Sequence, residues 1–264
     1  MKQKIGDTEV TLDGHVATVE IQRPPHNFFD DGLIHNLADA FSLLDEEKDC
    51  RAIVLAADGK NFCAGANFQS SQDSADMKTA DGRSSNSGNL YKEAVRLYSN
   101  KKPVVGAIQG AAIGGGFGLA LVPDFRVVCP ETRFAANFVK LGFHPGFGLT
   151  YRLPQLIGEQ KANLLFYTGR RINGDTAAEW GLGDVLTTQD QVRAEATKLA
   201  AEIAENAPLG VMSTRATMRD GLAEAIRKQT DHELKEQTWL RDTEDHKEGV
   251  RAVAERRPGN FVGR

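Results

Sequence analysis

Cysteine is scarce in this chain: Cys50, Cys63 and Cys129 are far apart and odd in number. That excludes a disulfide framework, and no Cys-x-x-Cys pair offers the common zinc-ligand spacing. Free thiols fit a reducing compartment, so a cytoplasmic protein is expected. Long apolar runs are lacking too. None approaches the roughly 20 residues that span a bilayer, and the opening MKQKIGDTEVTLDG has no apolar core of signal-peptide kind. No membrane segment and no processing are therefore expected. A basic surplus is also missing, since 32 Lys and Arg face 36 Asp and Glu for a net charge of −4. This argues against nucleic acid or an anionic membrane as partner, although a helix N-terminus can hold an anionic ligand without a basic surface. No GxGxxG and no GK[ST] loop is present, which makes nucleotide binding a poor second reading. At 264 residues the chain can form one large domain, or one domain with a small appendage.

What is present has a clear order. Val10 and Leu12, then Asp13-Gly14, then Val16, Val19 and Ile21 read as a β-hairpin. A helix follows, capped by Asp30 or Asp31, with Leu33, Ile34, Leu37, Phe41 and Leu44 on one stripe. Residues 53–57 and 104–108 read as buried strands, and so does the run from Phe125 to Cys129, with a short strand near Arg133–Ala136. Residues 69–89 are rich in Ser, Asp, Gly and Asn and read as a surface loop or weak helix. A helix resumes near Leu90. Strand and helix alternate, which points to an α/β crossover core. Beyond about residue 190 the pattern is helical and charged. The expected organisation is a core over 1–190 and a helical region over 191–264 that packs on the core or on a neighbouring subunit.

Two loops carry the chemistry. In Asn61-Phe62-Cys63-Ala64-Gly65-Ala66-Asn67, small residues after a buried strand let the backbone approach a ligand. Gly114-Gly115-Gly116 opens a helix whose unpaired N–H groups favour developing negative charge. Two such donors aimed at one oxygen form an oxyanion hole, where each is worth about 3–4 kcal/mol in a transition state.

FCAGAN, then GAAIGGGFGLALVPDFRVV about fifty residues on, resemble the crotonase (enoyl-CoA hydratase/isomerase) superfamily in order and spacing. So do RFAANFVKLGFHPGFGLTYRLPQLIG, LLFYTGRRINGDTAAEWGLGDVL, NAPLGV and the terminal RRPGNFVGR. The resemblance runs from the hairpin to the last residue. It implies a spiral of ββα units with a helical C-terminal region, assembly as a homotrimer or dimer of trimers, and acyl-CoA substrates handled through an enolate, as in fatty acid metabolism. No cofactor bound permanently is implied; coenzyme A enters as part of the thioester. By motif matching, Ala66 and Gly115 donate the two oxyanion N–H groups. Ala64, His26 and Arg257 are expected toward the CoA moiety, with Lys247 and Arg256 near its phosphates.

The chain departs from the family where acid/base groups are expected. The two glutamates of related hydratases are replaced by Gly118 and Phe138, and an acidic position of other members is Gly146. One carboxylate activates water and the other delivers a proton, so hydration of a simple 2-enoyl-CoA is expected to be weak or absent. His144 is the first replacement to consider, because histidine titrates near neutrality; its plainer role is to bond the backbone of its glycine-rich loop. Tyr91, Tyr151, Asp124 and Cys63 are weaker candidates, and Ser70, Ser71 and Ser74 offer hydroxyls from a lid. Acyl-CoA hydrolysis, C–C hydrolysis, decarboxylation and a catalytically silent acyl-CoA-binding protein remain open beside the hydratase/isomerase reading. RNA binding is disfavoured by the acidic run Asp45-Glu46-Glu47-Lys48-Asp49.

Overall fold

The computed structural model describes residues 1–66 and 87–264. The expectations for Asn67, Ser70, Ser71 and Ser74 lie outside the described residues. In chain order the strands and helices are β1 (Lys2–Ile5), β2 (Thr8–Asp13), β3 (Val16–Ile21), α1 (Asp31–Glu46), β4 (Ala52–Ala57), α2 (Ser87–Tyr98), β5 (Val104–Ile108), β6 (Ala111–Ile113), α3 (Gly115–Ala120), β7 (Phe125–Val128) and β8 (Arg133–Ala135). A 3-10 turn at Asn137–Leu141 precedes α4 (Leu149–Ile157), α5 (Glu159–Thr168), β9 (Arg171–Asn173), α6 (Gly174–Glu179) and β10 (Val185–Leu186). Four helices close the chain: α7 (Val192–Ala204), α8 (Pro208–Met218), α9 (Leu222–Leu240) and α10 (Glu244–Ala254).

The hairpin forms where Asp13-Gly14 predicts it, and Gly14 takes a φ of 55° that an L side chain resists. Asp30 caps α1 by accepting from the Leu33 N–H at 2.8 Å. Among the described residues the larger sheet runs β1-β2-β3-β4-β5-β7-β10, antiparallel through β3 and parallel beyond it. β4 and β5 are buried on both faces, so their continuous apolar runs are required rather than alternation. Ile53 and Leu55 enter the main core with α1, while Ala52, Val54 and Ala56 face α7. α7 meets them through Val192, Ala196, Ala200 and Ala204, an i, i+4 stripe of small residues that lets the helix lie close. The first helix of the charged C-terminal stretch thus covers the sheet itself.

A second small sheet, β6-β8-β9, was not legible as strands beyond β8. Its strands have three residues each, too few for a visible alternation. Cys63 bridges Ala112 of β6, which brings the loop after β4 against the entry to α3. The loops at the C-terminal ends of parallel strands thereby meet, the usual place for a ligand in an open α/β sheet.

Buried charge docks the remaining helices. Glu233 of α9, fully buried, accepts from the Gly148 and Thr150 N–H groups at 2.8 and 3.1 Å and so caps α4. Asp124 accepts from the Val104 N–H at 2.8 Å, Arg215 at 2.9 Å and Arg219 at 2.6 Å, and so ties α8 to β5. Burial alone would raise its pKa, but the two guanidiniums hold the carboxyl below its usual range. Asp124→Ala strands both cations and is expected to cost about 3–5 kcal/mol. Because the folded pKa is depressed, this stabilisation is complete above about pH 4 and is lost as pH falls through the lowered value. Urea unfolding of the variant at pH 7 is the check, and an unchanged midpoint would return Asp124 to an ordinary turn.

Candidate active site

A cavity of about 730 Å³ opens where the two chemistry-bearing loops meet, and Ala64, Gly65, Ala66, Gly114 and Gly115 all line it. Asn27 builds this junction. Its side-chain amide donates to the carbonyls of Asp58 and Asn61 at 2.7 Å each, and its oxygen accepts from the Arg23 N–H. The chain segment before α1 is thereby pinned to the loop after β4. Gly65 takes a φ of 85°, and a Cβ there would stand 2.8 Å from the Ile113 carbonyl oxygen, so only glycine allows the loops to approach this closely. Among the described residues, no hydrogen bond uses the N–H of Ala66 or of Gly115. These are the two donors expected from the sequence, now found on one cavity.

The positions that lack carboxylates are filled rather than open. A Cβ on Gly118 would lie 2.8 Å from both Cβ and Cδ1 of Phe147. Phe147 holds a φ of 63°, a left-handed conformation that costs a bulky residue about 1–3 kcal/mol. Its ring packs edge-on against Phe29 at 5.2 Å, and Phe29 in turn lies 2.8 Å from where a Cβ on Gly115 would stand. Phe138 lines the cavity itself. At Gly146 a Cβ would collide with the Tyr91 hydroxyl at 2.1 Å and with Gln237 Nε2 at 2.5 Å. Tyr91 donates to Gln237 Oε1 at 2.7 Å, and Gln237 Nε2 donates to the His144 carbonyl at 2.9 Å. Burial keeps this phenol protonated well above its usual range.

The other expected residues divide. His26 lines the cavity, exposed, with Nδ1 3.1 Å from Asn61 Nδ2, and its carbonyl accepts from the Ala64 N–H at 2.9 Å. His144 is placed apart from this cavity. It lines a neighbouring groove with Trp239 and Tyr167, and its Nδ1 is 2.7 Å from the carbonyl of Pro145, the next residue. Arg257 is likewise outside the cavity lining, exposed and engaged by Glu248 at 2.6 Å and Glu255 at 2.5 Å. Lys247 and Arg256 are exposed and do not line it. Burial pushes the Cys63 thiol up to about 12, so it stays a thiol and packs.

Several cavity residues escaped the sequence reading, among them Arg133, Arg171, Arg241, His246 and Asp31. His246 of α10 stacks on Phe143 at 4.7 Å, with Nδ1 2.8 Å from the Leu141 carbonyl. A carbonyl only accepts, so Nδ1 carries the proton and Nε2 is the basic nitrogen. Burial lowers the ring's pKa, which favours the neutral form. Asp31, one residue past the cap of α1, lines the cavity with a buried Oδ2 that has no hydrogen-bond partner among the described residues. Its place one position after Asp30 made it look like a duplicate cap, so no sequence signal set it apart.

The comparisons with known proteins agree with this geometry. The family model described as enoyl-CoA hydratase/isomerase matches residues 11–264. A crotonyl-CoA hydratase of Syntrophomonas wolfei subsp. wolfei is 31% identical over 252 residues, covering 94% of this chain and 95% of that protein. A carnitinyl-CoA dehydratase of Proteus mirabilis is 30% identical over 260 residues, covering 97% and 98%. The crystal structure of a carnitinyl-CoA hydratase from Mycobacterium avium superposes with a TM-score of 0.85 at 28% identity, covering 98% of this chain and 99% of that one. With the sheet order, the paired loops and a family match that leaves out only the first ten residues, the chain has the crotonase fold and belongs to the enoyl-CoA hydratase/isomerase family.

Proposed function

We propose that this protein is an acyl-CoA-processing enzyme that holds a thioester enolate between the N–H groups of Ala66 and Gly115. The observation that carries the reading is the meeting on one cavity of these two donors, unengaged among the described residues, in a chain of this family. The names of the relatives, crotonyl-CoA hydratase and carnitinyl-CoA dehydratase, support a CoA thioester as substrate. A thioester oxygen seated between the donors gains charge as the Cα proton leaves, and the donors bind that charge more strongly than the neutral carbonyl. Neutral His246, with Nε2 as acceptor, is the group we assign to take the proton.

Hydration needs a second group to deliver water, and Phe138 and Phe147 make that side of the cavity apolar. The same dryness favours decarboxylation, which consumes no water and leaves an enolate for the two donors; thioester and C–C hydrolysis are the alternatives that one base can serve. The large apolar side chains left exposed on α8 and α9, Leu209, Met218 and Trp239, support assembly through the helical region as a homotrimer or a pair of trimers. Among the described residues no helix is long and apolar enough to cross a membrane, in keeping with a cytoplasmic enzyme.

Butanoyl-CoA held in D2O with the protein is expected to exchange its Cα protons, followed by NMR, and His246→Ala is expected to lose the exchange while still binding the thioester. Failure of the wild type to bind butanoyl-CoA in calorimetry would remove the acyl-CoA reading, and binding without exchange would remove the enolate. Crotonyl-CoA hydration is expected to be slow in the same preparation; rapid hydration would show that another pair has replaced the lost carboxylates.

A further inference from the structure

Four arginines gather where α2, α4, β7 and the end of α8 meet, and the carboxylates beside them leave one unmatched. Arg126 is paired with Asp184 at 3.1 Å, and Arg215 and Arg219 share Asp124. Glu233, which also faces this junction, is taken by the Gly148 and Thr150 N–H groups. Asp45, on the Arg215 side, accepts from the Lys101 N–H at 2.9 Å. Arg152 has no ion pair among the described residues, and its Nη1 donates to the neutral Gln155 Oε1 at 3.2 Å.

Three polar atoms of this junction are buried with no hydrogen-bond partner among the described residues: the Tyr98 hydroxyl, Arg152 Nε and Arg219 Nε. Each has a proton to donate. Tyr98 is 3% exposed, and the Arg219 guanidinium carbon lies 5.8 Å from the centre of its ring. Burial pushes the Tyr98 phenol up to about 12, and Arg152 and Arg219 are the charges that act on it most. Burial likewise holds the Arg152 guanidinium below its ordinary value, and the Arg219 charge adds to that effect. Like charges drawn together out of water are costly unless an opposite charge joins them, and an unmatched buried donor adds to the cost.

We propose that Tyr98, Arg152 and Arg219 form an internal binding site for a small inorganic anion, with chloride as its ligand. Chloride accepts from all three donors and neutralises Arg152. A water molecule satisfies donors but leaves the charge unmatched. The three atoms are shut off from solvent, which fits a single ion better than a phosphate with four oxygens or a side chain from another molecule. None of the three residues lines the cavity, so this site is independent of the acyl-CoA reading. Bound there, the ion ties α2, α4 and the end of α8 together.

The test is a chloride titration of the full chain, followed by the width of the 35Cl NMR line, with sodium methanesulfonate keeping the ionic strength constant. The wild type is expected to broaden the line with half-saturation near roughly 10 mM, and to melt about 4 °C higher in about 200 mM chloride than in methanesulfonate. Tyr98→Phe removes the hydroxyl, and Arg152→Lys keeps the charge but removes the Nε donor. Each variant is expected to lose the saturable broadening and to bring the two melting temperatures within about 1 °C of each other. Absence of saturable broadening in the wild type would overturn the site, whatever the variants do. Broadening and a melting difference that persist in either variant would place the ion elsewhere and overturn it as well.

Discussion

Gly115→Val is expected to lower Cα-proton exchange or turnover of any productive thioester by about 10²–10³-fold, the loss associated with one oxyanion donor. The N–H of residue 115 survives the substitution, so the effect is steric. A Cβ there would stand 2.8–3.1 Å from three atoms of the Phe29 ring, and a valine adds two methyls beyond it. Either Phe29 is driven against Phe147 or the turn at Gly114 shifts and carries the donor out of line. A displacement near 1 Å is enough for such a loss when reacting groups must be aligned. The proton exchange assay is the check, with a thermal melt of the same sample to show that the fold is kept. Exchange within threefold of the wild type would sink the assignment of Gly115.

The second large effect is a gain. Gly118→Glu alone is expected to give no hydratase, because its Cβ would meet Phe147 at 2.8 Å and overpacking of a closed core costs about 1–3 kcal/mol. Adding Phe147→Gly removes that obstacle. Glycine also accepts the φ of 63° that phenylalanine holds under strain, which offsets part of the roughly 3–5 kcal/mol lost with this buried ring. With Phe138→Glu as the third change, two carboxylates face the cavity again. The triple variant is expected to hydrate crotonyl-CoA at least 10²-fold faster than the wild type, the usual range for placed acid/base groups. Loss of enoyl absorbance gives the rate directly. A triple variant that folds and binds crotonyl-CoA without hydrating it would mean that positions 118 and 138 do not face the reacting carbons.

Much of this protein is legible in its sequence because the governing interactions are local. Asp13-Gly14 turns its hairpin, Asp30 caps its helix, and the glycines at 65 and 114 take left-handed backbone wherever the chain is. The order of motifs from FCAGAN to the terminal RRPGNFVGR is also linear information, and it was sufficient for the family. Which candidates share the cavity has a different origin. His144 and His246 are both plausible imidazoles in sequence, and the choice between them depends on which carbonyl each ring meets: Pro145, one residue on, for the first, and Leu141, 105 residues away, for the second. Arg257 has the right charge for a phosphate, yet Glu248 and Glu255 claim it.

The same division separates the empty carboxylate positions from what fills them. That Gly118, Phe138 and Gly146 carry no acid is a property of the sequence. That Phe147 occupies the space above Gly118, that Tyr91 and Gln237 close over Gly146, and that the Asp31 Oδ2 is buried with no partner among the described residues are properties of packing between elements distant in the chain. Backbone conformation and motif order are set within a few residues and can be read one residue at a time. The partner of a buried polar group is set by which elements the hydrophobic core brings together, and that is decided only when the chain has folded.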